Sequence, residues 1–224
     1  MRALSAIAAA VVLVAAAPQP ARDWRTTATV SPTGSVLTGN PAAKVKLVEY
    51  LSFTCSHCAE FAHESKVPLH DSLVRRGVVQ VETRAAVRDG FDLAAWSIAR
   101  CAPPTRFAAL SADIFVQQNA WGEQGNAWVQ ANGEKIKALP FPRQIRAFSD
   151  GAGLSAIGAR HGVTAAALDK CLADPALAKQ LDAMTKAAFA RIPGTPGFAI
   201  NGKLVDNVAA WNALQPALAA AGAR

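Results

Sequence analysis

The sequence predicts a mixed α/β fold in two halves, a βαβ unit around residue 50 and a ββα unit at the C-terminal end, with helix between them. Three observations predict it. Val45-Lys46-Leu47-Val48-Glu49-Tyr50-Leu51 is rich in β-branched and aromatic side chains, as a strand is. Helical spacing follows from Cys55 to about Arg76, and Val78–Val87 reads as a second strand. At the other end, Gly197–Ile200 and Lys203–Val205 flank Asn201-Gly202, a dipeptide suited to a two-residue hairpin turn. Between the halves, from Asp92 to about Ile192, apolar residues recur at helical spacing.

Each element has a local cause. Pro68 predicts a bend in the first helix, because it has no N–H to donate, and Gly77 predicts its end. Helices are expected near 92–101, 105–119, 124–138, 142–149, 154–160, 164–173 and 175–190, separated by Pro103-Pro104, Gly122, Pro140, Pro142, Gly151, Gly162 and Pro175. A last helix, about Val208 to Ala221, carries Pro216 as a second expected bend. Residues 44–91 and 192–224 therefore make up one α/β domain, and 92–191 an inserted helical domain. Short strands at Thr27–Val30 and Ser35–Leu37 are expected within residues 18–43, an otherwise exposed lead-in rich in Pro, Thr, Ser and Gly.

Residues 1–17 read as a signal peptide. Met1-Arg2 is positive, Leu4–Ala17 is uncharged and apolar, and small residues offer a cleavage site after Ala17. The run falls short of the roughly 20 residues that span a bilayer. Export to an oxidising compartment, the bacterial periplasm, is the expectation, and there cysteines persist as disulfides. Apolar residues make up 51% of the 224 and charged ones 17%, which excludes a disordered chain. The net charge of +7 is scattered, with no basic run beyond Arg75-Arg76, which argues against nucleic acid as a partner.

The chemistry lies in the four cysteines, Cys55, Cys58, Cys101 and Cys171. A Cys-x-x-Cys where a strand meets a helix places the first sulfur at the helix N-terminus. Free backbone N–H groups and the positive end of the helix dipole stabilise a thiolate there, and the thiolate is the attacking species. Cys58 follows one turn later, within reach of a disulfide. His57, between them, is expected to lower the Cys55 pKa through its imidazole. A zinc site of four ligands would want a second close pair, but Cys101 and Cys171 stand apart. These two are either a structural disulfide clamping the helical insertion or two separate buried thiols. His63 and His70 are expected on solvated helix faces, and His161 at a helix end. Trp96, Trp121, Trp128 and Trp211 are expected to pack in the core, with Trp121 and Trp128 also candidates for a peptide surface.

Glu49-Tyr50-Leu51-Ser52-Phe53-Thr54-Cys55-Ser56-His57-Cys58 resembles the active-site strand and motif of DsbA-like thiol–disulfide oxidoreductases of the thioredoxin-fold superfamily. Gly194-Thr195-Pro196-Gly197-Phe198, followed by Asn201-Gly202-Lys203, resembles that family's cis-proline loop and hairpin. The resemblance implies a thioredoxin fold (βαβ…ββα) with a large helical domain inserted between its halves. It implies Cys55 as exposed nucleophile, Cys58 as buried resolving thiol, and Glu49 as proton acceptor for Cys58. Thr195 and a cis Pro196 would bind an extended substrate segment. No organic cofactor or metal is implied, since the Cys55–Cys58 pair itself carries the electrons. The implied partners are reduced, unfolded exported polypeptides and a membrane protein that reoxidises the pair. Ser56 stands where Pro is common in the family, and Thr195 resembles isomerase-type members, which keeps an isomerase or reductase open beside the oxidase. A non-catalytic binding or chaperone module is a further alternative. Isomerases of this kind carry an N-terminal assembly domain, for which residues 18–43 are too short, so a monomer is expected.

Overall fold

The structure is a computed structural model and describes residues 22–224. The expected signal segment lies outside the described residues.

Six strands form one sheet: β1 (Ala28–Val30), β2 (Val36–Thr38), β3 (Val45–Leu51), β4 (Val79–Ala85), β5 (Gly197–Ile200) and β6 (Lys203–Val205), in the order β1-β2-β4-β3-β5-β6. β3 and β4 run parallel, in register from Val45 opposite Val79 to Leu51 opposite Ala85. The other pairs are antiparallel. Parallel neighbours need a crossover, and the helix after β3 supplies it.

That helix, α1 (Ser56–Ser65), continues into a wide π-helical stretch, Lys66–Val74. The bend expected at Pro68 is realised as this change of pitch. Pro68 cannot donate to the carbonyl four residues back, and wider turns relieve the clash of its ring with that carbonyl. Gly77 follows with φ +76°. A side chain there would have to adopt the left-handed conformation and would also meet the Trp24 ring, 2.6 Å from the position of a Cβ.

Residues 22–43 correct the expectation of an exposed lead-in. They supply a short 3₁₀ turn (Trp24–Thr26) and the two strands at one edge of the sheet, β1 and β2, and β2 pairs along β4. Val36 and Thr38 are 1% and 4% exposed. Without β2, the edge of β4 would be left open. The short strands expected at Thr27–Val30 and Ser35–Leu37 are present, each within a residue of its expected bounds, and it is pairing into the sheet that removes β2 from solvent.

The helical stretch comprises α2 (Gly90–Cys101), α3 (Phe107–Val116), α4 (Gln118–Lys137), α5 (Phe141–Gly151), α6 (Leu154–Arg160), α7 (Ala165–Leu172) and α8 (Pro175–Phe189). α9 (Trp211–Ala220) closes the chain. It starts later than expected, where the Glu64 carboxylate of α1 accepts from the Trp211 N–H at 2.9 Å. Cys101, the last residue of α2, and Cys171 in α7 are joined as a disulfide. Trp121 is buried and donates its indole N–H to the Ile114 carbonyl at 2.8 Å. The Trp128 ring lies where a Cβ on Gly151 would be, 2.2 Å away, so this glycine lets α4 and α5 approach. Both tryptophans pack within the helical stretch.

The core has three parts. One lies between the sheet and α1, the π-helical stretch and α9, around Leu47, Phe61, Leu69, Phe198 and Leu214. A small one on the other face joins Tyr50 and Ala199 to Ala188 of α8. The third joins Leu51, Phe53, Cys55 and Cys58 to Trp96, Leu110 and Phe115 of the helical stretch. The strand-to-helix junction that carries the cysteines is thus embedded in a core shared by both parts of the chain.

Candidate active site

Cys55 is the residue immediately before α1, with extended backbone (φ −90°, ψ 119°), and its carbonyl accepts from the N–H groups of Cys58 and Ala59 at 3.1 and 3.2 Å. Cys55 and Cys58 are both free thiols. The loop before β5 closes over them. Thr195–Pro196 is a cis peptide bond, and the Thr195 carbonyl lies 3.2 Å from Cys55 Sγ. The expectation of an exposed nucleophile needs correction: Cys55 is 4% exposed and Cys58 0%. The Thr195 loop and the core around Phe53 cover both, so an incoming disulfide must meet the Cys55 sulfur beside Thr195.

The two sulfurs are electrostatically unlike. The Cys55 thiol is lowered to about 5, first by a hydrogen bond from Cys58, then by the Thr195 side chain and the backbone N–H groups of Cys58 and His57, which together outweigh burial. Cys58 is pushed up, mainly by burial and then by the Cys55 sulfur. One sulfur is an anion near neutral pH and the other holds its proton.

His57 acts otherwise than its sequence position suggests. Its side chain is 66% exposed and its Nδ1 lies 3.1 Å from Glu60 Oε2, one turn along α1. Its contribution to Cys55 comes from the backbone N–H. Residues that open a helix point their amides at the capping position while their side chains splay outward.

Glu49 is 3% exposed on the face of β3 that looks toward α1, and burial pushes its carboxyl up to about 8. Its Oε1 has no hydrogen-bond partner among the described residues. Of the histidines expected on solvated faces, His63 is exposed, but His70 is half-buried beside Glu49's cavity, where burial lowers it to about 4. His161 caps α6 and lies 2.9 Å from Asp113 Oδ2.

Two further residues position the site. Asp92, in the first turn of α2, is fully buried; Oδ1 accepts from the Phe53 N–H at 2.7 Å and Oδ2 from the Arg88 N–H at 2.9 Å. Burial pushes its carboxyl up to about 7. Gln118, the first residue of α4, donates through Nε2 to the carbonyls of Phe53 and Cys55 at 2.8 and 2.9 Å. Together they hold the backbone on both sides of Thr54. The only sequence signal for Asp92 is its place after the helix cap Asp89. Gln118 has none, since its partners lie more than 60 residues away.

Comparison with known proteins agrees with this geometry. A "Putative protein-disulfide oxidoreductase" of Rickettsia bellii is 30% identical over 174 residues, which is 75% of this chain and 58% of that protein. The chain thus spans less than two thirds of the length of this curated relative. The crystal structure of a protein-disulfide isomerase from Novosphingobium aromaticivorans is 35% identical, with a TM-score of 0.73 over 82% of this chain and 95% of that one. Wolbachia pipientis alpha-DsbA1 shares the fold, with a TM-score of 0.59 at 20% identity over 79% of this chain and 78% of that one. The family model described as thioredoxin matches residues 31–220, and the chain belongs to the thioredoxin family.

Proposed function

We propose that the protein is a protein thiol–disulfide oxidoreductase that introduces disulfides into exported polypeptides. The observation that carries this reading is the asymmetry of the pair, with Cys55 lowered to about 5 and Cys58 pushed up. A substrate thiolate attacks Cys55 of the oxidised pair. The Cys55–Cys58 bond breaks, Cys58 leaves as a thiolate, and a mixed disulfide forms. Cys58, whose environment disfavours the anion, takes up a proton. Glu49, held neutral near pH 7 by burial, is the acid we assign to this step, and its carboxylate takes the proton back when the pair is reoxidised. A second substrate thiolate then attacks the substrate sulfur, forms the substrate disulfide and expels Cys55. A low-pKa thiolate leaves readily, which favours this direction. The substrate is oxidised by two electrons and the enzyme is left reduced, with Cys55 as anion.

Thr195 flanks the sulfur with its backbone, and strand-like pairing there would hold an extended substrate segment irrespective of sequence. Residues 1–17 would direct export to the periplasm, and a membrane protein would reoxidise the pair. The electrons travel on the two sulfurs, so the cycle calls for no metal or organic cofactor. The chain would act as a monomer.

The test is exchange with a reduced, unfolded protein. Oxidation is expected with the wild type and is abolished by Cys55→Ser; exchange that survives this substitution overturns the mechanism. A second reading, disulfide isomerase, is favoured by the name of the Novosphingobium relative and by Thr195. Reactivation of a scrambled substrate faster than oxidation of a reduced one would select it.

A further inference from the structure

Beneath α1 lies a cavity of about 650 Å3. β3 and β4 form its floor, and α1, the π-helical stretch and α3 close it. Leu51, Phe61, Phe107 and Phe115 give it an apolar wall. Set into that wall are three buried polar atoms without a hydrogen-bond partner among the described residues, Glu49 Oε1, Ser65 Oγ and Ser111 Oγ. Glu49 and Ser65 are 3% and 0% exposed. An unpaired buried polar group is costly, and three lining one space form a cluster that calls for a common partner.

We propose that this cavity binds a small uncharged amphiphile, an apolar molecule carrying a hydroxyl or phenol group that hydrogen-bonds Glu49. The volume falls in the range of small-molecule sites, which are mostly apolar with a few convergent polar groups. Charge chooses among ligands. Burial holds Glu49 neutral up to about pH 8 and His70 neutral down to about 4, so neither gives the interior a charge near pH 7. At the rim, Arg25 is paired with Asp23 and Asp71, and Lys66 with Asp71. Arg106 alone among the rim cations has no ionic partner among the described residues, which makes an anionic ligand the rival to exclude. The site shares Glu49 with the proton transfer assigned to Cys58, but ligand binding is read without thiol exchange and holds whichever way electrons flow at Cys55.

Three probes of one shape test it: 4-butylphenol, butylbenzene and 4-butylbenzoate, titrated at pH 7 into the reduced protein and followed through backbone amide shifts. We expect saturable shifts with 4-butylphenol at Leu51, Phe61 and Ala112, and affinity about tenfold above that of butylbenzene, the worth of one good hydrogen bond. Ala112→Trp, which fills the cavity from α3, is expected to abolish binding, and Ala108→Phe serves the same end if that variant does not fold. Glu49→Leu is expected to bring the phenol down to the level of butylbenzene. Absence of saturation, shifts centred elsewhere, equal binding by the filled variant, or a phenol advantage that survives Glu49→Leu would each overturn the assignment. Tightest binding by 4-butylbenzoate would overturn it in favour of an anion held at Arg106.

Discussion

Replacing Thr195 by Val removes a hydroxyl from beside the attacking sulfur while nearly preserving volume. The Thr195 side chain hydrogen-bonds the Cys55 sulfur and helps bring that thiol to about 5. A hydrogen bond to a charged group contributes about 1.5–3 kcal/mol, and one pKa unit corresponds to about 1.36 kcal/mol. The Cys55 pKa should therefore rise by about one to two units. The sign for the redox couple follows from linkage. A folded-state pKa below the ordinary thiol value stabilises the reduced form above the ordinary pKa, and that stabilisation is lost as pH falls through the folded value. At pH 7 the variant loses about 1.4–2.4 kcal/mol of this stabilisation, equivalent to a reduction potential lower by about 30–50 mV for a two-electron couple. Thiolate absorbance near 240 nm against pH gives the first quantity, and equilibration with glutathione the second. A Cys55 midpoint that stays near 5 in the variant would refute the assignment of the Thr195 side chain as a stabiliser of the thiolate.

Glu49→Gln removes a buried carboxyl whose pKa is raised to about 8. Such a group keeps its proton when folded and loses it when unfolded, so wild-type stability falls as pH rises from about 4.5 to 8, by about 3 kcal/mol at pH 7. In urea titrations the variant should match the wild type near pH 4 and exceed it at pH 7, while thiol–disulfide exchange slows at the steps that protonate or deprotonate Cys58. Gln118→Ala leaves the Phe53 and Cys55 carbonyls without their side-chain donor and should cost about 1–2 kcal/mol in thermal unfolding, with a changed alkylation rate at Cys55. Replacing Cys101 and Cys171 together by Ser opens a loop of 70 residues and should cost up to about 4 kcal/mol in urea, with the alkylation profile of Cys55 unchanged.

How far the sequence reveals this molecule depends on how local the cause is. β3 and β5 lie where β-branched and aromatic composition places them, and the Asn201-Gly202 turn fixes the hairpin between β5 and β6. Most helices follow from apolar spacing and Pro punctuation, because both signals act within a few turns, but α4 begins at Gln118 and runs through Gly122, the break expected between two helices, since a lone glycine weakens a helix without ending it. The position of Cys55 at a helix start is likewise a local property of one strand-to-helix junction. β1 and β2 also lie within a residue of where the sequence places them, but their burial is less legible, since it depends on the edge of β4 that β2 covers. The direction of the His57 ring is set by Glu60, a choice among rotamers that spacing does not encode. Gln118 and Asp92 are beyond sequence reasoning as active-site groups, because their partners are backbone atoms far along the chain. The half-burial of His70 depends on its place at a cavity lined by both α3 and the π-helical stretch, which only the assembled fold brings together.

Alkylation of the reduced protein by iodoacetamide across pH 3 to 10, with the modified cysteine mapped by mass, tests the central claim most directly. Cys55 should react with a midpoint near 5, and Cys58 should stay unmodified throughout the neutral range. A midpoint near the ordinary thiol value of about 8.5, or equal reaction at both sulfurs, would contradict the account.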